Sequence, residues 1–172
     1  MNVNLFFTEL ESPLGLLHVE GDGTDITGLW MPRHKHWEGP ATSCQRADDL
    51  FTTVRAQFEE YFAGTRKEFD VPFRLEGTPF QQQVWRELVK IPFGTTITYA
   101  ELARRVGNPL ASRAVGSANG RNPVSIIVPC HRVIGADGKL TGYGGGLDNK
   151  KWLLAWEREV DGARQGELFA TA

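Results

Sequence analysis

Short apolar runs separated by turn residues open the chain. Leu14-Gly15-Leu16-Leu17-His18-Val19 is followed by the turn cluster Gly21-Asp22-Gly23, then by Ile26-Thr27-Gly28-Leu29-Trp30. Runs this short, bounded by Gly and Asp, predict a hairpin or meander over residues 1–30. Residues 31–44 are rich in Pro, Gly and His and read as a loop. Leu50, Val54, Phe58 and Tyr61 or Phe62 then fall on one helical face, and Gly64 ends the pattern. Phe69 to Leu75 contains Pro72 and reads as an extended crossing.

Punctuation is sharper in the second half. Thr78-Pro79-Phe80-Gln81 has the form of a capping box with Pro at the first helical position. Phe80, Val84, Leu88 and Ile91 make its apolar stripe, and Pro92-Phe93-Gly94 stops it. Thr98-Tyr99-Ala100-Glu101 repeats the box for a short helix ending near Gly107. Asn108-Pro109 predicts a third helix that starts at once and runs to about Gly120. Two short helices across a Gly-Asn turn resemble a helix-turn-helix. The second is built almost wholly of Ala, Ser and Gly, with Arg113 as its one long charged side chain. Such a helix either packs against a neighbour or approaches a narrow groove closely. It lacks the several long polar side chains of a major-groove reader. Val124 to Val128 reads as a buried strand stopped by Pro129. After the loop Gly142-Tyr143-Gly144-Gly145-Gly146, a last helix capped by Asp148 or Asn149 carries Trp152, Leu153, Trp156 and Glu157. Asp161 to Ala172 reads as a tail.

These elements describe a chain of 172 residues with 41% hydrophobic and 23% charged residues, an ordinary folded composition. Two cysteines, Cys44 and Cys130, argue against a disulfide framework and for a reducing compartment, the cytoplasm. No apolar run approaches the roughly 20 residues of a membrane span. The N-terminal stretch, with Glu9 and Glu11 and no Lys or Arg before Arg33, is unlike a secretory signal. Net charge is only −2. Its distribution is more telling: residues 1–76 hold 7 basic and 13 acidic residues, residues 77–172 hold 12 and 8. Two modules follow, 1–76 and 77–172, the second facing either a polyanion or only solvent. Arg104 and Arg105 can touch phosphate or solvent alike. His34, His36 and Cys44 lack a clear fourth ligand, so no metal site is expected. Trp30, Trp37 and Phe58 read as packing.

Pro129-Cys130-His131-Arg132 concentrates the chemistry. A thiolate is a strong nucleophile, and nearby cations favour its formation. Neighbours in a regular strand point to opposite faces, so Cys130 and His131 cooperate only if the chain turns at Pro129 or a water bridges them. An imidazole used this way needs an orienting group, and Glu157 is the best-placed acid. A Cys-His-Glu relay would hold the thiol ready to ionise. The alternative is an inert buried Cys beside a satisfied His.

The run Asn122-Pro123-Val124-Ser125-Ile126-Ile127-Val128-Pro129-Cys130-His131-Arg132-Val133-Ile134, followed by Gly142-Tyr143-Gly144-Gly145-Gly146 and Trp152-Leu153-Leu154 with Glu157, resembles the signature of the methylated-DNA–protein-cysteine methyltransferases (O6-alkylguanine-DNA alkyltransferases). The likeness extends back through Arg113-Ala114-Val115-Gly116, Tyr99 to Ala103 and Gly77 to Phe80. It is thinner at Ser12 to Gly15 and Tyr61 to Gly64.

The resemblance implies an α/β (α+β) fold: a ribonuclease-H-like sheet-and-helix domain, then a winged-helix-like, mostly α domain. It implies that Cys130 takes the alkyl group from guanine O6, and possible action on O4-alkylthymine. His131 would receive the thiol proton through a water, Glu157 would hold His131, and Tyr99 would help protonate the departing base. Arg113 would enter the duplex from the minor groove, with Ser112, Ala114, Gly116 and Ser117 lying along the DNA. Asn122 would tie that helix to the active-site loop. Val133, Tyr143 and Gly144 would wall the base pocket. Gly144 stands where many relatives carry a Ser, which leaves only backbone donation there. The alkyl carbon lies inside the base stack, so the nucleotide must flip. A thioether is inert to water and thiols, so the protein acts once, as a monomer on double-stranded DNA, without cofactor. Two other classes stay open on the residues alone: a DNA-binding sensor that transfers nothing, and a Cys-His hydrolase of small substrates.

Overall fold

The chain was analysed as a computed structural model that describes residues 4–170, with side-chain surroundings for residues 4–162. Strands β1 (Phe6–Leu10), β2 (Leu17–Gly21) and β3 (Ile26–Trp30) form the expected meander, joined by β4 (Gln45–Arg46) in the order β3-β2-β1-β4. β1 and β2 are antiparallel with Thr8 opposite Val19, and β4 runs parallel to β1. Side chains alternate across the sheet. Leu10, Leu17, Val19 and Leu29 therefore join Val54, Phe58 and Tyr61 of α1 (Thr52–Phe62) in a common core. On the sheet, Trp30 stacks on Trp37 at 5.6 Å, the packing role expected of both.

The second module holds α2 (Pro79–Val89), β5 (Ile97–Thr98), α3 (Tyr99–Arg105), α4 (Ser112–Gly120), β6 (Val133–Ile134) and α5 (Leu147–Ala170). α2 begins with a complete capping box: Thr78 and Gln81 each accept from the other's backbone N–H. Only half of it forms at α3. Thr98 accepts from Glu101, but the Glu101 carboxylate turns outward to Arg104 (2.6 Å) and Arg105 (3.1 Å). A two-residue parallel ladder, Ile97 with Val133 and Thr98 with Ile134, brings the start of α3 against the active-site segment.

Four expectations change. α4 starts at Ser112, not at Asn108, because the Asn108 side chain accepts from Leu110 N and closes a turn that Pro109 occupies. Asp148 and Asn149 lie inside the first turn of α5, and the Asn149 amide bonds back to Gly145 O. The tail reading fails as far as Ala170. α5 continues past Asp161, which pairs with Lys67 at 2.5 Å, and Val160 packs on Gly64. Residues 171 and 172 lie outside the described range.

The fourth change matters most for the site. Val124 to Val128 is buried as expected, yet it is a compact turn and not a strand, with Ile126 at φ 71°. Leu29 of β3 bonds to Pro123 O and accepts from Ser125 N, so this turn docks on the sheet edge. A β-branched apolar run signals burial, and burial alone does not choose between strand and turn. What chooses is Asn122. Its side chain accepts from Val124 N and donates to Val128 O at 2.8 Å, folding the segment around itself.

Candidate active site

The folded turn delivers Cys130, His131 and Arg132 as one 3-10 turn, all buried. The chain does turn after Pro129, as cooperation between Cys130 and His131 requires. His131 Nε2 lies 2.8 Å from Glu157 Oε1. The same carboxylate takes Arg132 Nη2 at 2.8 Å and Nε at 2.9 Å, Tyr61 OH at 2.8 Å and Gly94 N at 3.2 Å. Burial would raise the Glu157 pKa, but the hydrogen bonds from His131 and Arg132 and the charge of Arg132 hold it well below the usual range. Glu157 is thus a fixed anion. Burial pushes the His131 pKa down, against the pull of Glu157, so the ring rests neutral. With Nε2–H committed to the carboxylate, Nδ1 carries the lone pair, and it has no hydrogen-bond partner among the described residues.

The thiol departs from expectation. Cys130 is 3% exposed, and burial pushes it up to about 11, so it rests protonated and not poised as a thiolate. Its surroundings are nonetheless polar. Asn122 Nδ2 donates to Sγ at 3.1 Å, which favours the charged form, and the Lys150 charge acts in the same direction. Asn119 Nδ2 donates to Cys130 O at 3.2 Å, so the end of α4 is tied to the turn through two asparagines.

On the opposite side lies Tyr99, at the start of α3. Its hydroxyl donates to Thr141 O at 2.7 Å and accepts from Lys150 Nζ at 3.4 Å. Lys150 is wholly buried, donates to Val133 O (2.5 Å) and Thr141 O (3.1 Å), and is lowered by burial to about 8. Val133 N–H also donates to Cys130 O, so the second lone pair of its carbonyl is what Val133 can offer a ligand. Arg113, Ala114 and Ser117 are exposed on α4. Tyr99, Ser112, Arg113, Gly116, Thr141 and Gly142 line a hollow of about 310 Å³. Gly116 lies beside the Tyr99 ring, at a distance where even a Cβ would make ordinary contact.

Gly144 now has a physical reason. A Cβ there would stand 2.6 Å from the His34 ring and 2.8 Å from Gly120 O. At Gly145 it would meet Met31 Sδ at 2.7 Å. The first module presses so closely on this loop that a Ser at 144 does not fit. Tyr143 is buried beside it, with its hydroxyl 3.8 Å from Met31 Sδ.

Sequence reasoning missed Lys150, Tyr61 and Asn119 as parts of the site, and read Arg132 only as a motif letter. An Asn in a small-residue helix and a Lys four residues past a Gly loop carry no local signal of burial.

Comparison with known proteins supplies the family. Residues 79–159 match the 6-O-methylguanine DNA methyltransferase DNA-binding domain, and residues 5–75 its ribonuclease-like domain. A methylated-DNA–protein-cysteine methyltransferase of Methanosarcina acetivorans is 49% identical over 154 residues, covering 89% of this chain and 98% of the relative. The chain belongs to the methylated-DNA–protein-cysteine methyltransferase family. A relative from Haemophilus influenzae with the same name is 44% identical over 155 residues, covering 90% of this chain and 87% of that one. A crystal structure of Mycobacterium tuberculosis OGT in complex with DNA matches with a TM-score of 0.85 at 46% identity, covering 90% of this chain and 94% of that chain. The α/β fold, with a sheet-bearing first part and a helical DNA-binding second part, is that of the family. No helix among the described residues is long and apolar enough to cross a membrane.

Proposed function

We propose that this member of the methyltransferase family repairs O6-alkylguanine in duplex DNA by moving the alkyl group irreversibly to Cys130. The observation that supports it most is the placement of His131 immediately after the cysteine, clamped through Nε2 on the buried Glu157, with Nδ1 left to accept a proton. His131 takes the thiol proton, through a water as the family resemblance implies. Asn122 and Lys150 stabilise the thiolate as it forms. The sulfur lone pair forms the S–C bond while the C–O6 electrons return to guanine. The guanine anion takes a proton from Tyr99, whose acidity in the flipped complex is aided by the Lys150 ammonium. The proton held by His131 then replaces the one lost from Tyr99, by way of solvent, so the net reaction is thiol plus alkylguanine to thioether plus guanine, which needs no dissociable cofactor.

Arg113 enters the base stack from α4, with Ser112, Ala114, Gly116 and Ser117 against the minor groove, and fills the place of the flipped nucleotide. The module boundary lies near Glu76 and Gly77, the protein acts as a monomer, and it works in the cytoplasm, where both free cysteines stay reduced. Intact mass after incubation with alkylated duplex tests the reading. One alkyl group per chain, located on Cys130, is expected. Repeated product formation with no mass change overturns it.

A further inference from the structure

The first module is acidic, with a net −6 over residues 1–76, yet its β3–β4 loop carries Arg33, His34, Lys35 and His36 in succession. The loop is anchored on both sides of Lys35 and His36, by His34 against Gly144 and by Trp37 on the sheet. Lys35 N donates to Gly144 O at 2.8 Å, His34 is buried against Gly144, and Trp37 stacks on Trp30. The anchoring holds the exposed side chains of Lys35 and His36 outward. With Ser117, Gly120 and Arg121 from α4 and its end, they line a second hollow of about 460 Å³. None of the described residues lining it is acidic. The positive charges of Arg121 and Lys35 both act on His36, so the three groups sit within electrostatic reach of one another. Gly116 and Gly142 border this hollow and also the one beside Arg113. The two hollows are therefore neighbours along the same face of α4.

We propose that Lys35, with Arg121 and His36, grips a backbone phosphate of the duplex next to the point where Arg113 probes it. The acidic first module thereby supplies one edge of the DNA interface. This rests on the DNA-repair reading above, and adds to it a contact from outside the helix-turn-helix. Lys35 and Arg121 are like charges beside a hollow with no carboxylate, and their mutual repulsion is a cost that a phosphate removes. The anchored backbone means little ordering is needed when the contact forms.

The test is the salt dependence of binding to undamaged duplex, paired with single-turnover transfer on alkylated duplex. Lys35→Ala is expected to lower the log–log salt slope by about 1. Lys35→Glu weakens binding further, and Lys35→Arg restores the wild-type slope. Half-saturation for transfer rises with the loss of binding, while the limiting rate at saturating duplex stays unchanged. An unchanged slope in Lys35→Ala overturns the inference, as does a loss confined to the limiting rate, which would make Lys35 a brace for the Gly144 loop. The two readings fail separately. Wild-type protein that gains no alkyl mass while Lys35→Ala still lowers the slope sinks alkyl transfer and keeps the DNA edge.

Discussion

Behind Cys130, Glu157 is 1% exposed and accepts from Tyr61, His131, Arg132 and Gly94. In front of it, Arg113 and Ser117 stand in solvent, and the Tyr99 hydroxyl is held by Thr141 O and the more distant Lys150 ammonium. At the rear the carboxylate is buried under four partners, and the front is open to solvent at Arg113 and Ser117. Such a division suits a single-use reagent. The base acceptor must be fixed before the lesion arrives, since a buried charge without its partners is costly. The groups that meet DNA must instead exchange their present contacts for substrate at little cost.

Glu157→Gln strikes the rear directly. It leaves the Arg132 guanidinium buried without its anion, a loss of about 3–5 kcal/mol in unfolding stability. It also removes the group that fixes the His131 tautomer, so transfer slows by about 10²–10⁴-fold. Duplex affinity is expected to hold, measured below the lowered Tm. Equal losses in transfer and affinity would mean that the rear only supports the fold. Gly144→Ser tests the front wall. The added side chain collides with His34, and overpacking of this kind costs about 1–3 kcal/mol. His34→Ala in the same chain should recover part of that loss, and a thermal-melt double-mutant cycle reads the coupling. Simple additivity would show that His34 does not set the room at 144. The mildest test is pH. Lys150 is lowered from 10.5 to about 8 by burial. From about pH 8 to 9, below the range in which the raised Cys130 thiol works in the opposite sense, the unfolded chain binds the proton that the folded chain has released, so stability rises with pH. Transfer should fall over the same range as the ammonium beside Tyr99 is lost. Melting and single-turnover rates therefore move in opposite directions, and parallel movement would remove Lys150 from the proton path.

The helix starts show how far local signals reach. Thr78 and Gln81 sit three apart and satisfy each other without help from the rest of the chain, so α2 was legible and its box is complete. Glu101 has the same spacing, but two arginines one turn on compete for it, and the box is half made. At Asn108 the cap residue was recognised and its use was not: the side chain closes a turn instead of opening a helix. Cys130, His131 and Glu157 were all singled out from spacing and motif. Their protonation was not. The thiol sits where burial outweighs its polar neighbours, a balance that depends on packing from both modules.

By itself the chain determined most element types, the acidic and basic halves, and the order Asn122, Cys130, His131, Gly144, Glu157 that carries the family resemblance, because caps, turns and motif spacings act over a few residues. Only the tertiary structure decided that Val124 to Val128 folds into a turn, that Lys150 and Tyr61 reach the site, and that His34 claims the space beside Gly144. Those outcomes depend on contacts between distant residues, such as Tyr61 with Glu157, 96 apart in sequence. Burial, not local preference, sets the energy of a charge or a side chain once such distant parts close around it.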